Sequence, residues 1–377
     1  MKSSGEPTKN MILHVLTLNS SDGSYGGPVR VAKEIVSELE ALGFESKLIA
    51  GIQDKVLISR EASDKFYGYP VRQLLRKFPF SSLFSFSIAR GLFQQISHAK
   101  VVHIHLARDL IPFFAAVVCL ILRVPFVTQT HGMLDNEKTL TKKLIDKFLT
   151  NHILKSARTN FVLSEIEMVN MRSLFPNYRY RIIPNGIKIT GIPELNHNTG
   201  KYKILFCSRL HPRKRPIFFI ELAKSTIAQS ENYSFTIFGP DGGSLNEVKL
   251  ALKEINSPLI SYKGHLDSNQ VLQVMAEYDL LILPSEKEPF PMAVIEALSV
   301  GVPVLVMEDC GLASRLKELP YTSLCREASV PEFSAVLHQL TELDFLRANR
   351  KILIDVVANE FNITKICETL VQVYLEE

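Results

Sequence analysis

No part of this chain is both long enough and apolar enough to cross a bilayer. The longest hydrophobic run, LIPFFAAVVCLILRVPFV, is broken by Pro112, Arg123 and Pro125. Its uninterrupted part falls short of the about 20 residues a spanning helix needs, so a buried helix followed by a buried strand is expected. Cysteine is sparse as well. Cys119, Cys207, Cys310, Cys325 and Cys367 stand singly, mostly within apolar runs, odd in number and without metal-type spacing. That pattern excludes a disulfide framework or a zinc module and points to a reducing compartment. MKSSGEPTKN has no apolar core of signal-peptide length before the first strand, so no secretion is expected and a cytoplasmic location is. The net charge of +4 and pI near 8.6 are too mild to argue for nucleic acid, but they suit anionic ligands or an anionic membrane surface.

What is present is a soluble globular composition, 46% hydrophobic and 22% charged, in 377 residues. That length predicts two domains rather than one core. The most informative stretch runs from Leu280 to Gly311, LLILPSEKEPFPMAVIEALSVGVPVLVMEDCG. LLILP reads as a strand buried on both faces, SEKEP as a loop, and the apolar spacing from Pro291 as a helix that Gly301 closes, followed by the strand VPVLVM. Pro291 is expected as the first helical residue, leaving the amides of Met292 and Ala293 to face a ligand. A helix beginning at the carboxyl end of a parallel strand is an anion site. Glu288 and Glu296 flank it, placed to accept from hydroxyls on either side of a phosphate. Carboxylates also gather at helix starts simply because the dipole favours them by about 0.3–1 kcal/mol.

The N-terminal half repeats the arrangement. MILHVLTL reads as a buried strand, NSSDGSYGGP as a loop and VRVAKEIVSELEALG as a helix. Gly26 and Gly27 there suit either a turn or a close backbone approach to a ligand. VVHIHLA carries His103 and His105 at a strand end without a third ligand in sequence, and both are expected on a cleft wall. His131 lies where the strand FVTQT meets a glycine, Gly132. Residues 71–97 mix Arg72, Arg76 and Lys77 with five phenylalanines; packing on the domain's own core is favoured over an interfacial patch resting on anionic lipid. A polar, aperiodic linker, ITGIPELNHNTGK, separates the halves. In the second half, Arg209 and Lys214 sit in SRLHPRKRP, between the strand KYKILFC and the helix PIFFIELAKSTIAQ. SFTIFGPDGG ends another strand at Gly239.

The run E-P-F-P-M-A-V-I-E-A-L-S-V-G-V-P-V, with T-H-G-M-L-D and R-L-x-x-x-K, resembles the signature of the retaining family-four glycosyltransferases. The resemblance is strong over residues 203–311 and looser over 45–100. It implies an α/β architecture of two facing Rossmann-like domains (the GT-B fold), with the ligand cleft between them and a terminal helix crossing back to the first. The expected domains are 1–187 on the acceptor side, 200–360 for the nucleotide sugar, and the terminal helix 361–377. The resemblance implies transfer of a hexose-type sugar from a nucleotide-diphosphate sugar to a glycan or lipid-linked acceptor in cell-surface polysaccharide synthesis. Neither cofactor nor metal is expected, since no D-x-D carboxylate pair is placed to hold one. Nucleic acid is not a partner on this reading, and peripheral membrane contact is left open.

The resemblance also assigns roles. Arg209 and Lys214 hold the leaving diphosphate, Gly26 and Gly27 approach it, and Gly239 borders the base. Glu288 orients the sugar, with Phe290, Met292 and Ala293 beside it. Glu296 grips ribose, and His131 lies against the donor sugar. The chain departs from the family at Lys188, where an aspartate is usual, and at Arg215, where a glycine is. A non-hydrolysing sugar-nucleotide epimerase and a catalytically silent nucleotide-binding partner remain as alternatives.

Overall fold

Alternating strands and helices build two parallel sheets, each with its own core. The computed structural model describes residues 10–19, 26–53, 65–78, 80–134, 139–189, 200–267, 269–320, 322–342 and 350–376. Chain contacts divide the protein into two compact units, Met1–Gly186 with Ile363–Glu377, and Ile187–Asn362.

The first unit opens on β1 (Met11–Asn19), every residue of which is buried, as a central strand covered on both faces must be. There follow α1 (Gly26–Ala41), β2 (Ser46–Ile52), β3 (Phe66–Pro70), the short antiparallel pair β4 (Arg72–Gln73) and β5 (Leu83–Phe84), and α2 (Phe86–His98). Next come β6 (Ala99–His105), α3 (Leu110–Leu122) and β7 (Phe126–Gln129). One continuous helical stretch comprises α4 (Leu140–Ile145), a π turn (Asp146–Thr150) and α5 (Asn151–Ser156); β8 (Asn160–Val162), α6 (Glu165–Leu174) and β9 (Tyr180–Ile182) end the run. Strand order is β3-β2-β1-β6-β7-β8-β9. The direction of winding reverses between β1 and β6, so the loops after these strands diverge and open a crevice at their carboxyl ends.

The second unit runs β10 (Tyr202–Cys207), a 3-10 turn (Pro212–Lys214), α7 (Pro216–Gln229), β11 (Tyr233–Phe238), α8 (Leu245–Ile255), β12 (Ile260–Tyr262) and α9 (Val271–Met275). It continues through β13 (Leu280–Leu283), α10 (Met292–Ser299), β14 (Val304–Met307), α11 (Ala313–Leu316), β15 (Thr322–Cys325), α12 (Val330–Glu342) and α13 (Arg350–Glu360). Its order is β12-β11-β10-β13-β14-β15, with the reversal between β10 and β13. The last helix, α14 (Ile363–Leu375), belongs to the first unit. There the Thr364 hydroxyl donates to Glu38 at 2.5 Å and the Tyr374 hydroxyl meets His103 Nδ1 at 2.6 Å.

Four details differ from the expectation. Pro291 is the N-cap of α10 rather than its first helical residue: its ψ of 100° is extended, and the helix starts at Met292. β15 and β3 were not anticipated; both are outermost strands of their sheets, where half-buried residues give little alternation. The phenylalanines of 71–97 divide. Phe84 packs edge-on against Phe114 at 5.2 Å between centroids, as the packing reading requires, whereas Phe86 and Phe93 on α2 are exposed. The linker ITGIPELNHNTGK and the loop before Gly26 lie mostly outside the described residues.

Candidate active site

In the second unit the crevice loops over the β10–β13 reversal are tied together by charge. The 3-10 turn after β10 ends at Lys214, whose ammonium pairs with Glu288 from the loop after β13, and Arg213 reaches the same carboxylate at 3.9 Å. Both partners of the main pair are largely out of water, with side chains 14% and 10% exposed. Burial lowers the Lys214 pKa and Glu288 raises it, while Arg213 and Arg209 lower it further. His211, in the same turn, is lowered by partial burial and by Arg209, Arg213 and Lys214. Three cations and one carboxylate therefore converge, a balance that favours a further anion.

Backbone geometry explains the loop's shape. Arg215 sits at φ 53°, the left-handed region, so a glycine is the easy residue at that position and an arginine there costs about 1–2 kcal/mol. Its guanidinium reaches Glu286 at 3.2 Å, and the Glu286 amide donates to the Arg213 carbonyl at 3.0 Å, closing the two loops on each other. The Gly311 amide donates to the Glu288 carbonyl at 2.8 Å, fixing the backbone that carries the carboxylate.

The other residues assigned here fall as follows. Met292 and Ala293 open α10, an eight-residue helix whose first amides, like those of any helix, have no acceptor within it. Glu296 is one turn further in and buried. Phe290 is buried too, its ring edge-on to Phe361 at 6.1 Å, so only its backbone is available to a ligand. Gly239 has φ 155°, and a Cβ there would stand 1.8 Å from the Ser208 carbonyl oxygen, so its small size is required by packing before any ligand is considered. The stem of Arg209 lies across Gly242, where a Cβ would meet its Cγ at 2.7 Å.

In the first unit Gly26 and Gly27 are the first two residues of α1, and a Cβ at Gly27 would meet nothing within 4 Å. His131 follows β7 at φ 50°, with Gly132 at φ 69°, and the Met133 amide donates to the Thr130 carbonyl at 2.9 Å. This is a tight turn of the I′ kind, strained for a histidine. Glu167 holds it. That buried carboxylate accepts from the Thr130 hydroxyl and the Gly132 amide at 2.5 Å each, and from the Leu163 amide at 2.7 Å. Ser164 caps α6 by accepting from the Glu167 amide at 3.2 Å. The spacing S-x-x-E was legible as a capping box; that the glutamate's side chain would turn aside to grip the His131 loop was not.

His103 and His105 are not on a cleft wall. Both are buried, and His14 joins them, because parallel pairing of β1 with β6 sets His14 opposite His103. Sequence spacing shows neighbours within a strand and cannot show this one. The rings stack: His14 on His103 at 4.8 Å, His103 on His105 at 4.6 Å, and His105 on His131 at 5.0 Å between centroids. Nitrogens of His14, His103 and His105 lie within 4.8 Å of one another, a ligand set by number and type. The near-parallel rings of His103 and His105, 9° apart, aim their lone pairs side by side rather than at one point, so the stack as it stands does not form a coordination shell.

Hydrogen bonds link the column to the turn. His14 Nδ1 meets His105 Nε2 at 3.3 Å, and His105 Nδ1 meets His131 Nε2 at 2.7 Å. Burial lowers His14 and His131 to about 3, and burial with neighbouring imidazoles lowers His103 and His105, so all four are neutral near pH 7. Nε2 of His14 is buried without a partner. An unmet lone pair there costs less than an unmet N–H. His14 Nδ1 accordingly donates to His105, His105 donates to His131, and His131 keeps its hydrogen on Nδ1.

Family models match nearly the whole chain in two parts, Glycosyltransferase Family 4 over residues 25–190 and Glycosyl transferases group 1 over 189–351. An Escherichia coli UDP-Gal:alpha-D-GlcNAc-diphosphoundecaprenol alpha-1,3-galactosyltransferase is 26% identical over 298 residues, 73% of this chain and 75% of that protein. The E. coli O-antigen biosynthesis glycosyltransferase WbnH is 30% identical over 131 residues, 35% of this chain and 36% of its own length. Among solved structures, Anabaena HepE with UDP and glucose superposes with a TM-score of 0.73 at 15% identity, covering 96% of this chain and 98% of that one. A mutant of S. aureus TarM, in a complex that includes UDP, reaches 0.77 at 12% identity, covering 97% and 100%. At such identity these two establish the architecture, a pair of Rossmann-like units of the GT-B type.

Proposed function

Since the chain belongs to the family-four glycosyltransferases of GT-B fold, we propose that it moves a hexose-type sugar, with retention of anomeric configuration, from a uridine-diphosphate sugar to a lipid-linked glycan acceptor in cell-surface polysaccharide assembly. The observation that carries this reading is the Lys214–Glu288 pair, flanked by Arg209 and Arg213 over the β10–β13 reversal. Breaking the bond between the anomeric carbon and the diphosphate leaves negative charge on the departing oxygen. Arg209, Lys214 and the amides of Met292 and Ala293 receive it, so a metal is not needed for that task. Charge-assisted hydrogen bonds of this kind contribute roughly 1.5–3 kcal/mol each. The acceptor hydroxyl attacks the face the leaving group vacates, and its proton passes to the diphosphate oxygen.

Glu288 orients the sugar and is not a covalent nucleophile, a reading its ion pair with Lys214 supports, because a neutralised carboxylate attacks poorly. Glu296 takes ribose hydroxyls, Gly239 borders the base, and Gly26 and Gly27 admit the diphosphate to the start of α1. His131, neutral and with its hydrogen on Nδ1, donates to the transferred sugar. The choice of a uridine nucleotide and a diphosphopolyprenol acceptor draws on what the E. coli relative acts on and what HepE binds.

The test is incubation with UDP-galactose, UDP-glucose and UDP-N-acetylhexosamines, with and without a short polyprenyl-diphosphate-linked sugar, following nucleotide release and the anomer of the product by NMR. Acceptor-dependent release of UDP with an α-linked product is expected. Epimerised donor without acceptor would instead indicate a sugar-nucleotide epimerase, and binding without turnover a silent partner.

A further inference from the structure

A single imidazole is enough to touch a sugar, yet this protein buries three more behind His131. His14 on β1 and His103 and His105 on β6 are wholly enclosed, among strand neighbours such as Val15, Val102 and Ile104 that fill the same core without polar atoms. A buried imidazole must have its N–H met by an acceptor, so packing alone favours an aliphatic side chain at each of these positions. The nitrogens of the column therefore have a use beyond filling space.

Their hydrogen bonds have a direction. Glu167 fixes the backbone of the His131 turn by accepting from the Gly132 amide, whereas the His131 ring is held by His105, whose Nδ1 meets Nε2 of His131 at 2.7 Å with the rings stacked 14° apart. The other nitrogen of His105 is taken by His14 Nδ1 at 3.3 Å. Run from His131 toward His14, the chain of donors would end in a buried N–H on His14 Nε2 with nothing to receive it, which costs more than the unmet lone pair now there. At the opposite end, His131 Nδ1 has no hydrogen-bond partner among the described residues and is not one of the buried unpaired atoms, so it is open to a ligand.

Resting on the transfer reaction proposed above, we infer that His105 is a positioning residue: it obliges His131 to present a neutral Nδ1–H to the transferred sugar. Charge is the reason an imidazole suits this task. As the bond to the diphosphate breaks, positive charge grows on the sugar, and an imidazolium lying against it would repel the transition state. A carboxylate behind His131 would draw the ring hydrogen to Nε2 and stabilise the imidazolium, as the aspartate of a serine-protease triad does. His105 gives a hydrogen instead of taking one. Burial, which lowers the His131 pKa to about 3, works in the same direction.

The experiment compares two replacements of equal size in the full chain. In His105→Asn an amide nitrogen stands where Nδ1 was and donates to His131; in His105→Asp only acceptor oxygens stand there. Both remove the same ring, so a merely structural role would leave kcat per folded molecule alike in the two. Long-range proton–nitrogen NMR of protein labelled at histidine, with His131 identified by the signals lost in His131→Gln, reads which ring nitrogen carries hydrogen. Hydrogen on Nδ1 is expected in the unaltered chain and in His105→Asn, and on Nε2 or on both nitrogens in His105→Asp. Turnover of donor and acceptor should be about a hundredfold slower in His105→Asp than in His105→Asn, with KM for the donor nearly constant. Equal kcat in the two variants would overturn the inference. So would hydrogen on Nε2 of His131 in the unaltered chain, a result that depends on no variant folding. The spectra need neither donor nor acceptor, so failure of the proposed transfer would show separately, as an unaltered chain that moves no sugar yet keeps its hydrogen on Nδ1.

Discussion

Lys214 and Glu167 each hold a charge that other groups depend on, and their replacement separates chemistry from packing. Lys214→Ala removes a preorganised cation from the leaving group and strands Glu288 beside Arg213. Turnover should fall about a hundredfold or more, measured as steady-state kcat, and a fall of less than twofold would remove Lys214 from the mechanism. Glu167 touches no substrate on this reading; it is a positioning residue for the His131 turn. Glu167→Gln puts an amide N–H against at least one donor and should cost roughly 1–3 kcal/mol of stability. A purely structural role would leave the transferred sugar indifferent. If the turn is what matters, kcat should fall at least about tenfold with KM nearly constant, and the Glu167→Gln and His131→Ala losses should be strongly non-additive in a double-mutant cycle.

At the scale of elements, two glycines assigned to the same kind of role behave differently. Gly239→Ala drives a Cβ to 1.8 Å from the Ser208 carbonyl oxygen, so the second unit should lose more than about 2 kcal/mol or fail to fold. Gly27→Ala meets open space within α1 and replaces the poorest ordinary helix former with the best, so stability should hold or rise by up to about 1 kcal/mol. If α1 begins at the donor diphosphate, UDP affinity by calorimetry should nonetheless drop for Gly27→Ala; unchanged affinity would move the diphosphate away from this helix. The same contrast shows what the sequence makes legible. Strand β13, the loop after it and helix α10 could be read because each has its own period and its own punctuation at Pro284 and Gly301. Glu288, Arg209 and Lys214 could be placed because they lie in loops next to buried strands. The alliance of His14 with His103, or of Glu167 with Thr130 and Gly132, depends on which strands pair and in what register, a long-range property that no local pattern carries. The exposure of Leu140, Leu144 and Phe148 on α4 and the π turn after it was hidden for another reason: apolar residues at helical spacing normally face a core, and only the packed structure shows which side is left uncovered.

For the whole molecule, the buried imidazoles make acid stability a property of one unit. His14, His103, His105 and His131 all lie in the first unit, and burial sets the folded pKa of each below the usual 6.5. Between those values the unfolded chain binds more protons than the folded one. Stability is therefore whole above about pH 6.5 and is lost as pH falls toward 3, by about 1.4 kcal/mol per pH unit for each imidazole that titrates only on unfolding. Among the described histidines of the second unit, His211 is also lowered, but it sits in a partly exposed turn where solvent screens the effect. Calorimetric scans from about pH 7.5 to about pH 4.5 should accordingly show the transition of the first unit moving down steeply while that of the second moves little. His14→Phe keeps a ring in the stack beside His103 but removes one proton-binding site, so it should flatten the slope by about one proton per molecule. Parallel shifts of both transitions, or a slope unaffected by His14→Phe, would mean that the imidazole column does not govern acid unfolding.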